Sequence, residues 1–128
     1  MYKRQRLIHD KLTEKSLIDY LIRTKARNMS VELFDNCLSL MAAQKGKCFI
    51  TGNKLQFSDM EFHHKIMKSN GGDDSYSNLV WINGKAHKLI HATKEQTIKK
   101  YMDLLNMDEK SLKKLNKFRK LVGNSEIK

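Results

Sequence analysis

The sequence predicts an α+β fold in which helices are followed by a ββα unit and then by further helices. Three observations carry this expectation. Apolar residues at helical spacing, preceded by capping residues, occur towards both ends of the chain. Between them lie two short runs of strand character, Met60–Ile66 and Leu79–Ile82, separated by a polar stretch containing Gly71-Gly72. No proline, repeat or low-complexity tract interrupts the order. The 128 residues suit one domain with a real core, and 40% hydrophobic content supports a folded globule.

Residues 1–5 match one reading frame of a transposon-based sequencing adapter. They are expected to be a scar at the start of a longer native chain, and carry no weight in the fold. Residues 6–47 form an N-terminal helical segment. Thr13 can cap a helix with Leu17, Ile18, Leu21 and Ile22 on one face, with Leu12 and Leu17 as its hydrophobic staple. That helix is expected to end near Asn28. A second helical stretch starts at Ser30 or Asn36 and runs to Gln44. Phe34, Cys37, Leu38 and Met41 give it helical spacing, and Gly46 stops it.

Residues 48–93 carry the ββα unit. Cys48–Ile50 is apolar and leads into the turn Thr51-Gly52-Asn53. Met60–Ile66 alternates as a strand does. Leu79–Ile82 is apolar throughout, so that strand is expected to be buried on both faces with Trp81 in the core. Met67–Ser77 is a long loop, of the kind that is often functional, and Gly71-Gly72 suits a tight turn in it. Lys85–Ala92 reads as a helix. Residues 94–128 are basic helices. Thr93 and Gln96 fit a capping box ahead of Ile98, Tyr101, Met102 and Leu105. Asp108 caps the last helix, Met107 and Leu112 staple it, and Gly123 ends it. Leu112, Leu115, Phe118 and Val122 are expected to face inward. The three parts are expected to form one compact domain.

The net charge of +11 is unevenly spread. Residues 1–30 hold eight Lys/Arg against three Asp/Glu, and residues 94–128 hold ten against five, whereas residues 31–93 hold seven against six. Two basic arms around a nearly neutral centre favour a polyanionic partner, nucleic acid ahead of an acidic membrane. Lys113, Lys114, Lys117 and Lys120 on the last helix are the candidate phosphate contacts. No apolar run approaches the roughly 20 residues that a membrane span needs. No secretory signal opens the sequence, and Cys37 and Cys48 alone argue against a disulfide framework, so a reducing cytoplasmic setting is expected.

Four of the five histidines fall between residues 63 and 91. His87 and His91 are four apart on a helix, which puts them on one face about 5–6 Å apart at Cβ. On its own such a pair is more often a solvated surface feature than a chelate. His63 and His64 are neighbours on a strand and so point to opposite faces. One can therefore join the helical pair around a metal ion while the other does different work. Glu61, Asp73 and Asp74 read as solvated charges, and His9 as a surface residue.

The segments "HHK", "SNGG", "NLVW" and "HKLIH" resemble, in order and spacing, an HNH nuclease module with the ββα-metal (His-Me finger) fold; the three letters fall on His64, Asn78 and His87. "KCFITG" upstream and the basic tail downstream are similar to the C-terminal part of group II intron reverse transcriptase/maturases, and "RLIHD" fits the stretch before their nuclease domain. The likeness covers nearly the whole chain after residue 5. It implies a DNA endonuclease that nicks a target to prime reverse transcription, with intron RNA and a polymerase portion as further partners. The polymerase's Tyr-Ala-Asp-Asp signature is absent from this sequence. Two features depart from the family. Cys48 is followed by Thr51 with no second Cys pair, so no structural zinc ribbon is expected. Met67 stands where family members often have proline.

Within that resemblance His64 is the expected general base, since an imidazole titrates near working pH. Asn78 is the expected organiser of the loop. His63, His87 and His91 are the expected ligands of one divalent ion. Imidazoles suit Zn²⁺, Ni²⁺ or Cu²⁺, whereas the resemblance favours Mg²⁺ with Mn²⁺ as a substitute. The products would be a 5′-phosphate and a 3′-hydroxyl. The competing expectations are a module that grips DNA or RNA without cutting, and a structural metal domain.

Overall fold

The computed structural model describes residues 7–9, 12–24 and 29–128. The suspected scar at residues 1–5, and Arg6 and Asp10 of "RLIHD", lie outside them. Among the described residues the chain is a small α+β fold of five helices and two small antiparallel sheets.

The first sheet was not foreseen from the sequence. Strands β1 (Leu7–His9) and β2 (Leu12–Thr13) pair antiparallel. This ribbon corrects the reading of His9, which is half-buried rather than on the surface. Its Nε2 lies 3.0 Å from the Leu55 carbonyl, and its ring fills the space over Gly46, where a Cβ would collide with it.

Helix α1 (Glu14–Thr24) starts as expected. The Thr13 hydroxyl accepts from the Ser16 N–H and the Ser16 hydroxyl accepts from the Thr13 N–H, closing a reciprocal cap. Leu12, Leu17 and Leu21 are buried, but Ile22 is 57% exposed, so the inward stripe is narrower than predicted. The expected end near Asn28 lies outside the described residues. Helix α2 (Val31–Ala43) is one continuous helix capped by Ser30, and it buries Leu33, Cys37, Leu40 and Met41. Phe34 and Leu38 flank that stripe, half-buried.

Strands β3 (Glu61–His64) and β4 (Leu79–Ile82) form the second sheet, with Phe62 opposite Trp81 and His63 opposite Val80. β4 is buried on both faces, as its composition predicts. Its outer edge is closed without a third strand. The Gln44 side-chain amide bonds both the N–H and the carbonyl of Trp81, and Phe49 N–H donates to the same carbonyl. The Trp81 indole donates to the Cys37 carbonyl and so ties the sheet to α2. β3 is shorter than the predicted Met60–Ile66, because the Asn78 side chain takes over both backbone groups of Ile66 and ends the ladder.

Helix α3 (Gly84–His91) is capped by Asn83 and packs on β3, α4 (Glu95–Leu105) and α5 (Glu109–Leu121). The Thr93–Gln96 capping box does not form. Ala92 is extended, its carbonyl is drawn to Arg119, and α4 starts only at Glu95, with Lys94 before it and no side-chain cap. The Asp108 cap on α5 forms, accepting from Ser111 N–H at 2.8 Å. Leu115 and Phe118 are buried, and Leu112 and Val122 pack against the core from its margin. Cys48 is buried too, and its sulfur accepts from the N–H groups of Thr51 and Asn83, pinning the turn to the start of α3. No helix among the described residues is long and apolar enough to cross a membrane.

Candidate metal centre and its loop

The alternation of β3 separates the two adjacent histidines. His63 points towards α3 and α5 and is 3% exposed. His87 and His91 meet it from one face of α3. Ring centroids lie 5.2 Å apart for His63 and His87, 5.7 Å for His63 and His91, and 5.0 Å for His87 and His91. One ring nitrogen from each residue lies within 4.8 Å of the others. Ligand nitrogens around one first-row ion sit about 3 Å apart, given bonds of ~2.1 Å, so small side-chain rotations close the set.

The chemistry of this donor set fits a metal ion. Among the described residues His63 Nε2 has no hydrogen-bond partner although it is buried. An orphaned buried polar group costs about 1–3 kcal/mol. Burial, with His87 and His91 adding to it, pushes the His63 pKa down to about 3. Burial and then His87 lower His91 as well. His63 therefore keeps its lone pair at neutral pH, and the neutral form is the one that binds metal. Glu61, read from sequence as a solvated charge, lies 3.4 Å from His87 Nδ1, because it shares a strand face with His63. A carboxylate there orients the imidazole, as carboxylates commonly do for metal-bound histidines.

Short α3 is held at both ends. At its start Gly84 N–H donates to Asp59, and a Cβ at Gly84 would stand 2.7 Å from that carboxylate oxygen. At its far end the Arg119 guanidinium donates to the carbonyls of Leu89 and Ala92, and the Asn124 amide donates to the carbonyl of Ile90. Arg119 is 2% exposed, and burial lowers its pKa. Sequence reasoning missed it. The available signal was its position four residues after Leu115, inside an apolar stripe.

His64 points to the other face of β3, with 20% of its side chain exposed. Its Nε2 lies 2.8 Å from Asp74 Oδ1. Asp74 is therefore no solvated loop charge. Its side chain is 13% exposed, it also meets Lys68, and the Ser30 hydroxyl donates to it. The bond from His64, then Lys68, hold its carboxyl below the ordinary range. Asp73 beside it does stay exposed, turned onto Ser75. Asn78 spans the loop. Its Oδ1 accepts from Ile66 N–H at 2.8 Å, and its Nδ2 donates to the carbonyls of Ile66 at 3.0 Å and Asp73 at 2.8 Å. Gly71 turns the chain at φ +91°, and Gly72 lies so close to Ile66 that a Cβ would overlap its carbonyl.

The four candidate phosphate contacts have different surroundings. Lys113 and Lys117 are exposed. Lys114 donates to the Phe49 carbonyl and sits 4.9 Å over that ring, and Lys120 pairs with Glu126. Lys65, directly after His64, also lies over Phe49. Its pKa is lowered by burial and then by Lys117. A basic surface thus joins α5 to the end of β3. Compared with known proteins, the chain matches no family model, no curated protein and no solved structure.

Proposed function

We propose that the chain is a divalent-metal-dependent endonuclease of the HNH kind, hydrolysing phosphodiester bonds of double-stranded DNA on a ββα-metal core made of β3, β4 and α3. The observation that carries this reading is the division of labour on β3, where His63 joins His87 and His91 while His64 stands apart beside an Asn78-braced loop. A pure binding module has no need of either arrangement.

In this reading His63, His87 and His91 would hold one ion, Mg²⁺ in the cell with Mn²⁺ as its substitute. Bound there, the ion would supply Lewis-acid stabilisation of the charge that builds up on the phosphate. His64 takes the proton from the attacking water. Asn78 fixes the loop that positions His64. Lys65, Lys113 and Lys117 offer charge to the phosphates on either side. The wider setting, nicking of target DNA beside a reverse transcriptase and intron RNA, rests on the sequence resemblance alone.

The test is cleavage of supercoiled plasmid. The protein is expected to nick it with Mg²⁺ or Mn²⁺ and not with chelator, and His64→Ala is expected to lose about 10²–10⁴-fold in rate. A His64→Ala protein that cuts at the wild-type rate would refute the mechanism. A protein that binds metal and never cuts would leave a structural metal domain as the better reading.

A further inference from the structure

The bond between His64 and Asp74 assigns a proton. A carboxylate oxygen only accepts, so at 2.8 Å the His64 Nε2 must be the donor. A neutral imidazole protonated on Nε2 carries its lone pair on Nδ1. We propose that Asp74 is the positioning residue of the site, which holds His64 in the Nε2–H tautomer and leaves Nδ1 as the atom that accepts the water's proton. This rests on the nuclease reading for the role of His64.

The surroundings are built to keep Asp74 in place. Its second oxygen accepts from the Ser30 hydroxyl and the Lys68 ammonium, both at 3.2 Å. Its own carbonyl accepts from the Asn36 amide at 2.8 Å, and the carbonyl before it accepts from Asn78. Ser30 caps α2 and Asn36 lies within it, so the carboxylate is anchored to a helix outside the ββα unit. A loop residue held by side chains from both α2 and the loop itself is fixed far more firmly than a solvated charge. A general base whose ring is fixed in rotation and in tautomer keeps its lone pair aimed, and the loss of such a partner puts a mixture of tautomers at the reacting atom.

The experiment uses the full chain and four proteins: wild type, His64→Ala, Asp74→Asn and Asp74→Ala. Imidazole ¹⁵N spectra without DNA are expected to show His64 as the Nε2–H tautomer in the wild type and as a mixture in Asp74→Ala. With saturating plasmid, Asp74→Ala is expected to lose about 10²-fold in kcat, while KM and Mn²⁺ affinity stay within about twofold. Asp74→Asn keeps the shape, but the Ser30 and Lys68 donors draw its amide oxygen to the Oδ2 position and turn its NH₂ onto His64, which imposes the Nδ1–H tautomer; it is expected to lose about 10²–10⁴-fold. It also carries the test if thermal melting shows that Asp74→Ala does not fold. An unchanged tautomer together with wild-type kcat in the Asp74 variants would overturn the proposal, even where His64→Ala is dead and the nuclease reading stands. A wild-type protein that never cuts, or a His64→Ala protein that cuts normally, would overturn the nuclease reading and the positioning role with it.

Discussion

His63 and His64 are the same residue type, adjacent on one four-residue strand, and the fold gives them opposite environments. The His63 side is dry. Its ring sits among two other imidazoles and Phe118, and its Nε2 has no partner among the described residues. The His64 side is polar, with the ring bonded to a carboxylate that Ser30 and Lys68 also hold. Strand alternation alone produces the division. A metal ligand needs a neutral, unengaged nitrogen, and a base needs a fixed ring whose proton sits on the far nitrogen. In the proposed reading one dipeptide would supply both.

The largest effect expected on the dry side comes from Arg119. Replacing it with alanine leaves the carbonyls of Leu89, Ala92 and Ser125 without their shared donor. We predict a loss of about 3 kcal/mol in denaturant unfolding and weaker Mn²⁺ binding, because the end of α3 that carries His91 is released. His64 and its loop should be untouched, which imidazole NMR would show. If Arg119→Ala binds Mn²⁺ as tightly as wild type, α3 holds its ligands without the clamp.

Arg119 also shows where the sequence stops being legible. The helical pair His87–His91, the strand pair His63–His64 and the Asp108 cap are local patterns, spaced by the periods of helix and strand. The partners that hold them are not local. Arg119 meets residues 27 and 30 positions away, and nothing in a run of basic residues separates one buried arginine from its solvated neighbours except its register. Asp74 and Asp73 are indistinguishable in sequence, and only the folded loop turns one onto His64 and the other onto Ser75. Asn78 was expected to span the loop and does, because it follows that loop directly and has both a donor and an acceptor to offer. The β1–β2 ribbon was illegible because strands of three and two residues are too short to show alternation.

A second prediction concerns pH. His63 stays neutral in the folded, metal-free protein down to about pH 3, whereas in the unfolded chain it charges near ~6.5. Between those values the unfolded chain binds the extra proton, so stability rises with pH there. The contribution of His63 is complete above the upper value and falls away as pH drops through the range. Urea unfolding of chelator-treated protein at several pH values should show this slope, and His63→Leu should flatten it. An identical slope in the variant would mean that other groups govern the acid loss.

The smallest effect belongs to the basic surface. Replacing Lys113 and Lys117 with glutamine should weaken binding to all DNA sequences alike. The salt dependence should become shallower by about 0.9 log units for each phosphate that is no longer neutralised. Lys114 and Lys120 already have partners in the fold and should contribute less. An unchanged slope in the double variant would place the grip elsewhere.

Metal titration compares the two faces of β3 most directly. Mn²⁺ or Co²⁺ would be titrated into wild type, His63→Ala and His64→Ala, each checked for folding. One ion per chain is expected in wild type and in His64→Ala, with nearly equal affinity, and none held tightly in His63→Ala. A His63→Ala protein that binds the ion like wild type, or a folded His64→Ala protein that loses it, would contradict the assignment of His63, His87 and His91 as the metal site.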